Sequence, residues 1–204
     1  SANNGHILVT YTDTSTNTQK QIIATQGVVL TIPLGLLKVD AIKFTPALPV
    51  SRQQSIRDLR FGLANKMFLI FDSAGGRILS QGKYNSNNLF RIGIGRSIRF
   101  EDPITFFLNH KTFMDIPVVS SFVQGDFARR WEGLTNNQLL VLHMKALREF
   151  IPNLPDPISY VITRWGSDPY SLGSYTFYGR GTDVSSVTEF QKPLGNKANF
   201  MFAG

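Results

Sequence analysis

Apolar positions along this chain change period several times, and each change marks a predicted element. From residue 67 to 71 they run without a break, M-F-L-I-F, in residue types that favour strands. Such a run predicts a strand covered on both faces. Before it, Ile7, Val9 and Tyr11 alternate with polar residues, 13–17 is a turn cluster, and 20–25 and 27–32 return as further strands. That order predicts a three-stranded β-meander. Pro33 has no N–H for a ladder and ends the third strand, after which 34–37 turns the chain away.

Residues 42–49, with Pro46 and Pro49, read as an irregular crossing. A short helix is predicted over 51–59, with Ser51 as N-cap and Gln54 at the capping-box position. Ser73, Ala74, Gly75 and Gly76 carry turn signals, 83–88 is polar, and strand-like pieces follow at 90–94, 104–108 and 118–123. The clearest helix is 135–150. Thr135 and Gln138 form a capping box, Leu139, Leu140, His143, Met144, Leu147 and Phe150 share one broad face, and Pro152 lies just beyond. His143 on that stripe is expected to be a core histidine and not a ligand. A rigid connector with two prolines, 153–157, leads to a last strand over 158–165.

Two stretches carry candidate chemistry. Lys66 stands where the glycine-containing segment 61–65, taken as a turn, enters the strand at 67. Either its stem lies along apolar surface with the ammonium in water, or the ammonium is held at the edge of the core where it orients a water or a reacting group. The second stretch, 165–178, reads W-G-S-D-P-Y-S-L-G-S-Y-T-F-Y. Two glycines, a proline and several rings in so short a span describe either an aromatic corner of the core or one wall of a pocket for a flat or cationic ligand.

Composition narrows the classes. The 204 residues, 42% hydrophobic and 17% charged, suit a core-forming chain, one large domain or two small ones. With no cysteine there is no disulfide, thiol nucleophile or thiolate-ligated zinc. The longest weakly polar run, 21–37, is broken by Gly27, Thr31 and Pro33, so no membrane span is expected. The first residues lack the order of a secretory signal; a soluble chain is expected, its compartment left open with the cytoplasm slightly favoured. The start also lacks methionine, and an excised portion of a longer polypeptide is expected. The net charge of +7 permits an anionic partner, yet the arginines are scattered and form no run.

Searches for a self-contained active site fail. Gly93 and Gly95 begin a GxGxxG pattern, but Ile98 occupies the third glycine position. There is no GxSxG, no HExxH, and no ligand spacing among His6, His110 and His143. Glu101 and Asp102, adjacent in sequence, would point to opposite faces of a strand. No metal site is expected.

The segments V-V-L-T-I-P-L-G-L-L-K (28–38), F-T-P-A-L-P (44–49), F-G-L-A-N-K-M-F-L-I-F-D (61–72), R-W-G-S-D-P-Y-S-L-G-S-Y (164–175) and F-M-F-A-G (200–204) together closely resemble the flavin-containing amine oxidases. That group includes monoamine and polyamine oxidases, L-amino-acid oxidases and flavin-dependent histone demethylases. The resemblance implies an α+β fold: a mixed β-sheet flanked by helices as substrate domain over 39–190, a β-meander portion of a truncated FAD-binding domain over 1–38, and a return strand over 191–204. The family's lysine that holds a water at the flavin N5 falls on Lys66, its flavin-side tryptophan on Trp165, and its amine-cage aromatic on Tyr175. Pro33, Trp165 and Gly204 fall at cofactor-binding positions.

The implied reaction oxidises a primary or secondary amine to an imine, with a hydride equivalent passing to FAD and O2 reduced to H2O2. The N-terminal dinucleotide motif is missing, so this chain alone is expected neither to hold FAD nor to turn over amines; its expected partners are a small-molecule amine and the rest of the FAD-binding domain. Two other readings stay open: a non-catalytic amine-binding or protein-interaction module of the same fold, and a basic nucleic-acid-binding domain, the latter predicting steep loss of affinity with salt.

Overall fold

The computed structural model describes residues 5–81, 90–91, 106–195 and 197–203. In chain order the elements are β1 (Ile7–Asp13), β2 (Thr18–Ala24), β3 (Val28–Leu30), α1 (Leu34–Lys38), α2 (Val50–Asp58), β4 (Arg60–Gly62), β5 (Ala64–Ile70), α3 (Ser73–Leu79), β6 (Phe90–Arg91), β7 (Phe106–Asn109), α4 (Lys111–Met114), β8 (Val118–Gln124), α5 (Asp126–Glu132), α6 (Asn136–Arg148), β9 (Ser159–Ile162), β10 (Tyr175–Phe177), α7 (Val184–Gln191) and β11 (Phe200–Phe202). They pack as two units: residues 5–61, 170–172 and 176–203 in the first, 62–169 and 173–175 in the second. Segments 39–61 and 176–190, expected within the substrate domain, thus pack with the first unit. Among the described residues no helix is long and apolar enough to cross a membrane.

In the first unit β1 and β2 form an antiparallel hairpin from Ile7↔Ala24 to Asp13↔Thr18. Its turn is set by Asp13, whose carboxylate accepts from Ser15 N at 2.9 Å and pairs with Lys20, and by Asn17 at φ 52°. The Lys20 ammonium, then the Ser15 hydroxyl, pull the Asp13 carboxyl down to about 2. The expected meander is not completed. β3 pairs with β11, in parallel, Val28↔Phe200 to Leu30↔Phe202, a partner too distant in sequence for local patterning to reveal. Residues 34–38 are the helix α1 and not a turn, because Pro33 suits the position before a first helical residue and Leu34 and Leu37 are buried with Ile56 and Leu59 of the α2 region. α2 starts after Pro49, one residue before the predicted cap, and Ser51 lies inside it with its hydroxyl donating to Glu189 Oε1 at 2.8 Å.

The second unit is built on a sheet of order β6-β7-β8-β5-β9, with every described pairing antiparallel. Among the described residues the parallel pairing belongs to the first unit, so pairings of both kinds occur along the chain. The interior strand β5 buries Met67 and Leu69, with Phe71 just beyond it, on a core completed by Val119, Val123, Phe107 and the helix residues Trp131, Leu139, Met144 and Leu147. Segment 73–76 is not a turn but the start of α3. The Asp72 carboxylate caps it at Gly75 N (2.9 Å), and its glycines are there for contact: a Cβ on Gly75 would come within 2.7 Å of Phe71 Cβ, and one on Gly76 within 3.1 Å of Pro117. The strand expected at 104–108 appears as β7, while the 83–88 segment, Gly93, Gly95, Ile98, Glu101 and Asp102 lie outside the described residues.

α6 is the helix the sequence predicts, with both capping-box bonds made: Gln138 N to Thr135 Oγ1 at 3.2 Å and Thr135 N to Gln138 Oε1 at 2.9 Å. On its inner face His143 is fully buried, its Nδ1–H donating to Leu139 O at 2.6 Å and its ring edge-on to Trp131 at 4.8 Å. Burial pulls its pKa down to about 4, against the pull of the Leu139 carbonyl. A histidine lowered from 6.5 to about 4 by folding leaves stability intact above 6.5 and removes it as pH falls through that window. The expected loss is ~3 kcal/mol by about pH 4. Urea unfolding of wild type and His143→Leu between about pH 7 and 4.5 tests this: the gap between the two should shift in favour of the variant on acidification, and a constant gap would refute it.

Candidate active site

Five residues running from the end of β4 into β5, Gly62 to Lys66, gather the candidate groups of the second unit. Directly opposed residues in a sheet share a face. Lys66 stands across from Phe122, and Phe68 across from Ser120 on one side and Val161 on the other, so these residues lie on the face turned away from the helix-covered core. Lys66 and Val161 are exposed there; Phe68, Phe122 and Leu108 are half-buried. The lysine is therefore not a strand-end cation. It sits within the strand, on an open, largely apolar sheet face. His110 shares this surrounding: its ring lies 6.2 Å from Phe68 and 5.2 Å from Phe113, and its Nε2 is 2.8 Å from Ser120 Oγ. Burial first, and the Lys66 charge second, lower the His110 pKa.

The backbone of Lys66 is tied to the segment that carries Trp165. Lys66 N donates to Thr163 Oγ1 at 2.7 Å, and Thr163 N to Lys66 O at 3.0 Å. β9 has ended at Ile162, and the next tie is made by a side chain: Trp165 N donates to Asn65 Oδ1 at 3.0 Å. Gly173 N closes the following turn onto Trp165 O at 2.8 Å. Tyr175 is placed by the other end of the same five residues. Ser174 N donates to Gly62 O at 2.8 Å, Ala64 N donates to Ser174 Oγ at 2.9 Å, and the Tyr175 ring lies against Gly62, where an added Cβ would meet Cζ at 2.7 Å.

Trp165 and Tyr175 are 42% and 41% exposed, which sets aside the reading of 165–178 as an aromatic corner of the core. Lys66, Trp165 and Tyr175 thus belong to one unit and are connected through one short segment. Pro33 is half-buried at the N-terminus of α1 in the first unit, and Gly204 lies outside the described residues. The residues that sequence reading passed over are Asn65, absorbed into a supposed turn, together with Thr163 and Glu132. An asparagine leading directly into an apolar strand was the signal, since a buried amide needs partners.

Residues 2–204 match the family model described as flavin containing amine oxidoreductase. The chain belongs to that family. Among curated amine-oxidoreductase relatives, it is 33% identical over 176 residues to polyamine oxidase 5 of Oryza sativa subsp. japonica, covering 86% of this chain and 33% of that protein. It is likewise 33% identical over 190 residues to lysine-specific histone demethylase 1 homolog 2 of Arabidopsis thaliana, covering 90% of this chain and 24% of the relative. Among solved folds it superposes on cyclohexylamine oxidase from Brevibacterium oxydans IH-35A with TM-score 0.73 at 20% identity, covering 99% of this chain and 40% of that one. A putrescine oxidase bound to putrescine gives 0.65 at 16% identity, over 90% and 37%. The chain spans about a third of the polyamine oxidase and two-fifths of the cyclohexylamine oxidase. The solved structures carry the α+β fold, and the family match carries the flavin-containing amine oxidoreductase type of the domain.

Proposed function

We propose that this chain forms the substrate-side part of an FAD-dependent amine oxidase that converts a small primary or secondary amine to its imine. The observation that carries the reading is the joint anchoring of Lys66, Trp165 and Tyr175 on the segment Gly62 to Lys66, beside an open apolar sheet face. The residues present suit a flavin ring: a cation on an uncovered face, a half-exposed indole, and a phenol ring lying on bare glycine backbone. When bound, FAD supplies the acceptor for the hydride equivalent leaving the carbon next to the amine and passes the electrons to O2.

The chain's own residues do the rest. Lys66 holds a water at its Nζ, Trp165 flanks the cofactor, and Trp165 and Tyr175 wall off a dry space in which an uncharged amine is favoured over an ammonium. The remainder of the FAD-binding domain is the required partner, without which the chain binds neither FAD nor substrate productively. Relatives named polyamine oxidases support a small-molecule amine as substrate.

The test is a visible spectrum, 350 to 500 nm, of the full-length protein, in which this chain is joined to the rest of its FAD-binding domain, supplied with FAD and followed by anaerobic addition of a panel of amines. Flavin absorbance that bleaches with an amine is the expected result. Absence of bound flavin would overturn the proposal and leave a binding module of the same fold. A second expectation concerns Gly62→Ala. Because the added methyl meets the far end of the Tyr175 ring, at 2.7 Å from Cζ, it displaces the ring. The apparent KM for amine should rise several-fold while the unfolding free energy changes by less than about 1 kcal/mol. Unchanged KM would separate the Tyr175 ring from amine binding.

A further inference from the structure

We infer that Asn65 is a positioning residue of the oxidising site, a single amide that fixes the Trp165 segment and the Lys66 backbone against a carboxylate on α5. This inference rests on the roles proposed above for Lys66 and Trp165. Asn65 is 0% exposed, yet it adjoins a run of apolar strand residues. Its Nδ2 donates to Glu132 Oε1 at 2.9 Å, and its Oδ1 accepts from Trp165 N at 3.0 Å and from Thr163 Oγ1 at 3.2 Å. The Thr163 hydroxyl that donates there also accepts from Lys66 N at 2.7 Å. Glu132 Oε1 accepts a second time, from Gly166 N at 2.7 Å. The residues on both sides of Trp165, and Lys66 itself, therefore converge on one amide and one carboxylate.

Packing alone does not account for this arrangement. A buried amide gains nothing over an apolar residue of like size unless its partners need it. Here the partner that needs it is the chain beyond β9, where ladder pairing stops and Trp165 N would otherwise lack an acceptor. The junction demands a donor on one side and an acceptor of two bonds on the other, and among short side chains asparagine has both. Its far end is fixed as well. Arg164 holds the end of α5 through Nη1 to Trp131 O (3.2 Å) and Glu132 O (3.1 Å), and through Nη2 to Leu134 O (2.8 Å) and Asn136 Oδ1 (2.9 Å). Gly166 admits the carboxylate, since a Cβ there would stand 2.9 Å from Glu132 Oε1.

The test is a swap of donor and acceptor in the flavin-loaded protein. Asn65→Asp removes the donor and sets two carboxylates against each other. Asn65→Asp combined with Glu132→Gln returns a donor to the contact from the other side. Anaerobic flavin reduction is followed against amine concentration to separate the limiting rate from apparent affinity, with unfolding midpoints measured for each variant and Lys66→Met as reference. The single variant is expected to lose about tenfold or more in limiting rate, and the double variant to recover to within about threefold of wild type. Should Asn65→Asp fail to fold, the double variant and Thr163→Val, expected to lose a few-fold in the same rate, carry the test. The inference is overturned if folded variants change only in midpoint while limiting rates stay at wild type, or if the folded double variant shows no recovery. Insensitivity of the rate to Lys66→Met would instead bring down the reading of Lys66, a different failure.

Discussion

Lys66→Met in the flavin-loaded protein is expected to slow anaerobic flavin reduction by roughly 10²-fold, with folding stability within about 0.5 kcal/mol of wild type. The two halves of this expectation come from the same feature. On the open face of the sheet the Lys66 side chain is exposed, and among the described residues its ammonium has no ion-pair partner. Nothing in the fold is lost with the charge, since methionine keeps the length and apolar stem of lysine. What is lost is a compact donor of three hydrogen bonds at Nζ, able to hold a water. Lys66→Arg keeps the charge in a larger planar group and should fall between the two. Stopped-flow absorbance decides it: equal limiting rates for methionine and lysine would remove Lys66 from the site.

Arg52→Ala is expected to destabilise the first unit by about 3 kcal/mol, the largest effect on folding of any single truncation considered. The guanidinium is fully buried, and its Nη2 donates at 2.6 Å to both Glu189 O and Lys192 O at the end of α7. Its carbon lies 5.4 Å from the Phe190 ring centre and 5.0 Å from that of Phe202. Its Nε and Nη1 have no hydrogen-bond partner among the described residues, and the two rings supply the remaining attraction. Truncation removes the Nη2 donor from both carbonyls, leaving Glu189 O with its bond from Lys192 N at 3.2 Å, and opens a void between two phenylalanines. Arg52→Lys can still reach a carbonyl but loses the planar stacking, so a loss of about half that size is expected. Urea midpoints provide the measurement, and an alanine variant as stable as wild type would show that the bonds contribute nothing net.

What could be read from sequence was local. α6 was legible because its caps and its apolar period both lie within the helix, and β5 because a continuous apolar run admits few other readings. α3 was not, since two adjacent glycines oppose a helix on propensity and the contacts that require them, with Phe71 and Pro117, are tertiary. The meander failed for a related reason: strand patterning shows that 28–30 pairs, but not that its partner lies at 200–202. At the site, the motif resemblance pointed to Lys66, Trp165 and Tyr175. It could not show which sheet face is open, because Lys66 and Asn65 are neighbours in sequence on opposite faces of one strand. Asn65 became visible only when Glu132, 67 residues away, was found beside it.

The β3–β11 pairing and the Arg52 clamp also order events in time. The second unit is nearly continuous in sequence and has all but a few of its residues once 169 has been made. The first has its opening strands, α1 and α2 early, yet their partners in α7 and β11 follow only after the whole second unit. During vectorial synthesis, Val28 to Leu30 therefore waits as an unpaired strand edge while some 170 residues are added, roughly ten seconds or more at ordinary elongation rates. Among the described residues β3 thus lacks its partner strand for that interval, and a chaperone that shields extended apolar segments would find a target there.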